Sequence, residues 1–178
     1  YSILFAPYDL SSGWAEPFIG YMAMHFYGIP STLETVNGIP GSCSAPQHVF
    51  HNEPLNFNSF KERLENHFKA EATAPIMIDD GTYTINIVGV GSEGLNPILW
   101  IADPHIHEGV NKLIDKEKSP AGLYKVTLND AGQQISSSLE NEDRHQVSNM
   151  FSKGSYKGIH FDKKRWMVLF PFIARLGE

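Results

Sequence analysis

Thr82-Tyr83-Thr84-Ile85-Asn86-Ile87-Val88-Gly89-Val90 is a nine-residue run dominated by β-branched and aromatic side chains, and it sets the class of the fold. Turn residues bound it on both sides, Asp79-Asp80-Gly81 before and Gly91-Ser92-Glu93-Gly94 after, as a strand between two hairpin turns requires. Working outward, Pro75-Ile76-Met77-Ile78 and Pro97-Ile98-Leu99-Trp100-Ile101-Ala102 have the same character, so three antiparallel strands follow one another. Gly122 to Leu128 and Trp166 to Phe172 read as further strands that add edges or partners, and the polar stretch Glu140 to Lys153 reads as helical.

The first seventy residues follow a different period. Tyr1 to Pro7 is short and apolar enough for a strand, and Tyr8 to Gly13 is a polar turn. Between Trp14 and Tyr27, Phe18, Ile19, Met22 and Phe26 fall on one stripe of a 3.6-residue repeat, which predicts a helix. Pro17 is compatible only with the first turn, where its missing N–H has no partner to lose, so the helix is expected to begin near Ala15 or Glu16. Gly28 and Pro30 end it. Ser31-Thr32-Leu33-Glu34 has the Ser-x-x-Glu form of a capping box and predicts a second, short helix. Asn37 to Asn58, with Gly38, Pro40, Gly41, Pro46 and Pro54, reads as a long irregular loop. Asn58 then caps a helix carrying Phe60, Leu64 and Phe68 on one face. Helices gathered early and strands gathered later indicate an α+β fold rather than alternating βαβ units.

Composition narrows the function. The 178 residues suit one domain, residues 1–178, with enough apolar content (42%) to bury a core. A net charge of −6 and the lack of any Lys/Arg-rich stretch argue against a nucleic-acid partner. No apolar run approaches the roughly 20 residues of a membrane span, so the expectation is a soluble chain. One cysteine, Cys43, permits neither an internal disulfide nor a cysteine zinc cluster and fits an intracellular, cytoplasmic setting. The chain starts at Tyr1 rather than Met, which suggests that a leader or a longer N-terminal region precedes it.

Asp103-Pro104-His105 follows directly on the apolar strand that ends at Ala102, where a rigid element hands its chain to a loop. An Asp that orients an imidazole is the base half of a nucleophilic triad; the same tripeptide also reads as an ordinary turn, with Pro104 fixing φ. Taken with Gly13-Trp14 opening a helix, Gly28-Ile29-Pro30-Ser31, Asn66-His67-Phe68 and Ile87-Val88-Gly89-Val90, in that order, the chain resembles the cysteine peptidases specific for the ubiquitin-fold modifier over about residues 8–172. The longer autophagy cysteine peptidases share the Gly-Trp and Asp-Pro-His features. The resemblance implies a papain-like fold, with an N-terminal helix packed on an antiparallel sheet. It further implies a Cys nucleophile in a Gly-Trp-Gly-Cys-Gly-Tyr-Arg box, an Asp103–His105 dyad, and an oxyanion-stabilising Tyr for which Tyr8 is the nearest match.

The box itself departs from the family. Gly13-Trp14-Ala15-Glu16-Pro17-Phe18-Ile19 puts Glu16 at the nucleophile position. A carboxylate attacks an amide far less well than an imidazole-paired thiolate, and opposite His105 it favours an ion pair that holds the base protonated. The expectation is therefore a pseudoenzyme that binds a protein, such as a ubiquitin-like modifier or a larger assembly, or serves as a structural module. The alternative is an active cysteine-type peptidase acting on the C-terminus of a ubiquitin-like modifier, with Cys43 or another group beside His105. A third reading has the Gly38 to Pro54 loop filling the groove. His48 with His51, or His105 and His107 with Glu108, have metal-ligand chemistry, but without thiolates they read as surface or hydrogen-bonded residues, and neither a metal nor another cofactor is expected. Gly89, Gly91 and Gly94 lack the Lys-Ser/Thr of a phosphate loop. Trp100, Trp166, Phe170 and Phe172 are expected in the core, and Lys163-Lys164-Arg165 on a solvated turn.

Overall fold

Strand β3, Thr84–Glu93, lies near the middle of a seven-stranded, wholly antiparallel sheet in the computed structural model, which describes residues 17–41, 45–69, 74–81, 84–102, 123–138 and 158–172. Along the chain come α1 (Pro17–Phe26), β1 (Ser31–Val36), a 3₁₀ turn (Gln47–Val49), α2 (Phe57–Lys69) and β2 (Ile76–Asp79). After β3 follow β4 (Asn96–Ala102), β5 (Leu123–Leu128), β6 (Gln134–Ser137) and β7 (Trp166–Pro171). The spatial order is β1-β7-β2-β3-β4-β5-β6. The class is thus α+β, with two α-helices among the described residues, and none of these is long and apolar enough to cross a membrane.

Alternation along each strand sorts side chains between two faces. Ile76, Ile78, Ile85, Ile87, Leu99, Ile101, Tyr124, Val126 and Leu128 point to one face. There they meet Phe60 and Leu64 of α2 with Ile159 and Phe161, and this is the main core. The other face is covered by α1, which packs Phe18, Tyr21 and Met24 over Leu33, Met167, Leu169 and Met77 of β1, β7 and β2. Gly20 makes the close approach: a Cβ there would sit 2.8 Å from Leu169 Cδ2. All six residues of β7 are buried, as expected of a central strand covered on both sides.

The structure corrects several expectations. Ser31–Val36 is a strand, not a capped helix: each residue is registered against β7, from Ser31 opposite Pro171 to Val36 opposite Trp166. Long-range pairing with a buried apolar strand overrides a local helix-start signal, and the Glu34 side chain, instead of capping, is taken by Arg63. The α2 cap is Asn56 rather than Asn58; its Oδ1 accepts the Ser59 N–H at 2.9 Å. The β3–β4 turn is only Gly94-Leu95, with Gly94 at φ 62°, because β3 runs on to Glu93 opposite Asn96. β6 has no counterpart in the sequence reading, since Gln-Ile-Ser-Ser carries little strand signal. The described part of the Gly38 to Pro54 loop runs along the outer edge of β1, at the far side of the sheet from β4. His51 N–H donates to Leu33 O (3.0 Å) and Leu55 N–H to Thr35 O (2.8 Å), which protects an otherwise open strand edge.

Trp100 is also not in the core. It is 43% exposed, because Leu99 and Ile101 claim the α2 face and leave Trp100 on the opposite face, beyond the strands that α1 covers. Phe172, just past β7, is likewise exposed, whereas Trp166 and Phe170 are buried as expected. The Tyr1 to Pro7 strand and the Glu140 to Lys153 helix lie outside the described residues.

One turn is fixed by backbone geometry. Gly132 sits at φ 81°, where an added Cβ would lie 2.7 Å from the Phe57 ring and 3.0 Å from Phe161 Cβ. Gly132→Ala is expected to destabilise the chain by about 2 kcal/mol, from left-handed strain together with displacement of Phe57. Urea unfolding would check this, and a change below about 0.5 kcal/mol would refute it.

Candidate functional site

The strand registers place Val36, Trp166, Asp79, Thr84, Ala102 and Leu123 at one end of the sheet. That end is closed between β2 and β3 by Asp79, whose carboxylate accepts hydrogen bonds from the Thr84 hydroxyl and, at 2.5 Å, from the Gly81 N–H. Lys164 Nζ pairs with the neighbouring Asp80 at 2.5 Å, and Trp166 Nε1 donates to His160 O at 3.2 Å. β4 leaves the sheet here, at Ala102.

Helix α1 lies on the face of the sheet opposite α2. Its last turn leads through Gly28 to Pro30, where Ile29 N–H caps on Met24 O and Phe172 N–H donates to Pro30 O, and then into Ser31 at the opposite end of the sheet. Gly20 rests on Leu169 and Met77. Between α1 and the β4 terminus the sheet surface is formed by Asn86, registered opposite Ala102, and by Gly89, opposite Trp100; the indole lies 3.5 Å from the Cβ position of Gly89.

Of the residues singled out in the sequence, Tyr8, Glu16, Cys43, Asp103, His105, His107 and Glu108 lie outside the described residues. His51 is described and does structural work: its Nδ1 accepts the Leu33 N–H at 3.2 Å and its ring meets Tyr21 edge-on. No group of three or more His, Cys, Asp or Glu suited to a metal occurs among the described residues.

A polar cluster that the sequence reading missed sits on the other face. Glu34, 2% exposed, pairs with Arg63 (Nε to Oε2 3.2 Å) and accepts a hydrogen bond from the Asn52 amide. The Arg63 guanidinium lies 4.2 Å over the Phe170 ring and 5.6 Å from that of Phe172, and reaches the Thr32 hydroxyl. One helical turn on, buried His67 places its ring 5.8 Å from that of Phe170 and bonds the Ala74 carbonyl through Nε2 at 2.8 Å. Burial pushes its pKa below the ordinary 6.5; the carbonyl bond opposes this, and Arg63 reinforces it. The missed signal was the alternation of Thr32, Glu34 and Val36 on one strand face, which the capping-box reading obscured.

The fold and this geometry define an α+β architecture, a seven-stranded antiparallel sheet with α1 on one face and α2 on the other. No family model matches the chain, and neither a curated protein nor a solved structure matches it.

Proposed function

We propose that the chain is a catalytically silent, papain-like relative of the ubiquitin-fold-modifier-specific cysteine peptidases, and that it acts by binding a protein, with a ubiquitin-like modifier as the first candidate. The observation that carries this reading is where α1 starts and where β4 stops. In a papain-like site the nucleophile stands at the start of a helix and the base on a neighbouring strand end. Here α1 starts at Pro17, directly after Gly13-Trp14-Ala15-Glu16, and β4 stops at Ala102, directly before Asp103-Pro104-His105.

Glu16 at the nucleophile position explains why such an arrangement binds without cutting. On this reading an acid–imidazole pair stands in place of the thiolate–imidazolium pair that peptide hydrolysis needs. Mass spectrometry of C-terminally extended ubiquitin-like modifiers, incubated with the native chain and with Glu16→Cys, tests the proposal. No cleavage by the native chain, together with cleavage by Glu16→Cys, is the expected result. Turnover by the native chain would overturn it, and alkylation of Cys43 would then show whether that thiol is the nucleophile.

A further inference from the structure

We propose that His67 is an acid-sensitive latch that holds the last turns of α2 on the sheet and releases them when it is protonated. The latch joins three elements. His67 is carried by α2, its Nε2 bonds the carbonyl of Ala74 just ahead of β2, and its ring packs against Phe170 of β7 as well as its neighbour Phe68. Because a carbonyl only accepts, Nε2 carries the proton of the neutral ring, and that tautomer already satisfies the contact.

A second proton must therefore go to Nδ1. It also meets an unfavourable field. From α2 itself, the Arg63 guanidinium sits on the same Phe170 ring and so puts a like charge against the protonated imidazole. From β1, the carboxylate of Glu34 is committed to Arg63 and Asn52. Among the described residues, β7 offers Phe170 and the β2 side the Ala74 carbonyl, and neither brings a balancing negative charge. The position of His67 near the helix C-terminus favours the cation weakly, but burial at 3% exposure outweighs it.

The direction of the pH effect follows from linkage. The folded form holds His67 below 6.5 while the unfolded chain titrates near that value. Above 6.5 neither state is protonated and the latch is fully closed. As pH falls below 6.5 the open form takes up a proton that the closed form refuses. The opening constant then rises by up to tenfold per pH unit, until the folded-state pKa is reached.

Hydrogen exchange of the native chain and of His67→Gln, whose side-chain amide still donates to Ala74 O, tests this. Between pH 7.5 and 5.5, the opening constant of the amides of residues 64–69 is expected to rise about tenfold in the native chain and less than twofold in His67→Gln. Amides of Ile85 and Ile87 in β3 should respond less. Equal acceleration in both chains, or equal acceleration of β3 and α2, would overturn the latch. Should His67→Gln fail to fold, proton NMR titration of the native His67 ring decides the matter: a pKa at or above 6.5 refutes the proposal, and one below it supports the proposal.

Discussion

Arg63→Met is expected to lower the unfolding free energy by about 3 kcal/mol, although it keeps most of the apolar stem against Phe170. The loss comes from what the substitution leaves behind. Glu34 is 2% exposed and faces the main core side of β1, where water replaces its lost partner poorly. Asn52 still donates to one carboxylate oxygen, so the residual carboxylate is partly satisfied, and the effect belongs at the lower end of the range for broken buried pairs. Since Arg63 itself is 26% exposed, the energy resides in the stranded anion more than in the lost cation. Adding Glu34→Gln to Arg63→Met should therefore recover more than half of the loss, because a neutral amide carries no unpaired charge. Urea unfolding of the single and double variants at pH 7 measures both effects. A single variant within about 0.5 kcal/mol of the native chain, or a double variant no better than the single, would show that the ion pair is not what holds β1 to α2.

Phe60→Ala should cost about 3–5 kcal/mol, the largest effect of any single truncation considered. Phe60 is fully buried on the inner face of α2, and its ring lies 4.9 Å from that of Phe161 and 6.4 Å from that of Phe170. Those contacts connect the helix to the segment before β7 and to β7 itself. Removing the ring loses its transfer energy and leaves a cavity that a sheet of paired strands cannot collapse to fill. Against a net stability of roughly 5–15 kcal/mol, such a loss threatens folding at 37 °C. Leu95→Ala provides the contrast: at the tip of the β3–β4 turn Leu95 is almost wholly exposed, and its truncation should change stability by less than about 0.5 kcal/mol. Thermal or urea unfolding that ranked the two variants equally would contradict the assignment of the core to the α2 face.

The sequence made β2, β3, β4 and β5 legible because each is a short apolar or β-branched run between Gly, Asp or Asn turns, and each pairs with its neighbour in the chain. α1 and α2 were legible for a related reason. Phe60, Leu64 and Phe68 repeat on the helical period and face the core, whereas of the α1 stripe Phe18 packs on the sheet but Met22 and Phe26 are exposed, the packed face being Phe18, Tyr21 and Met24. β1 was misread because its partner lies 130 residues on, and nothing local distinguishes Ser31-Thr32-Leu33-Glu34 as a strand start from the same residues as a capping box. The site divided in the same way. Glu16 and Asp103-Pro104-His105 emerged from a motif order along the chain, whereas Glu34, Arg63 and His67 come together only when β1, α2 and β7 are packed.

By itself the sequence determined the α+β class, the existence of most elements and the net charge of −6, and it supplied the motif order on which the proposed role of Glu16 rests. Tertiary structure alone decided that the last strand, Trp166–Pro171, enters between β1 and β2, that Glu34 is buried in an ion pair, and that Trp100 faces outward. The physical reason is that side-chain periodicity encodes which residues share a face of their own element. Which element covers that face is settled by long-range strand pairing, whose energy becomes available only when distant segments meet.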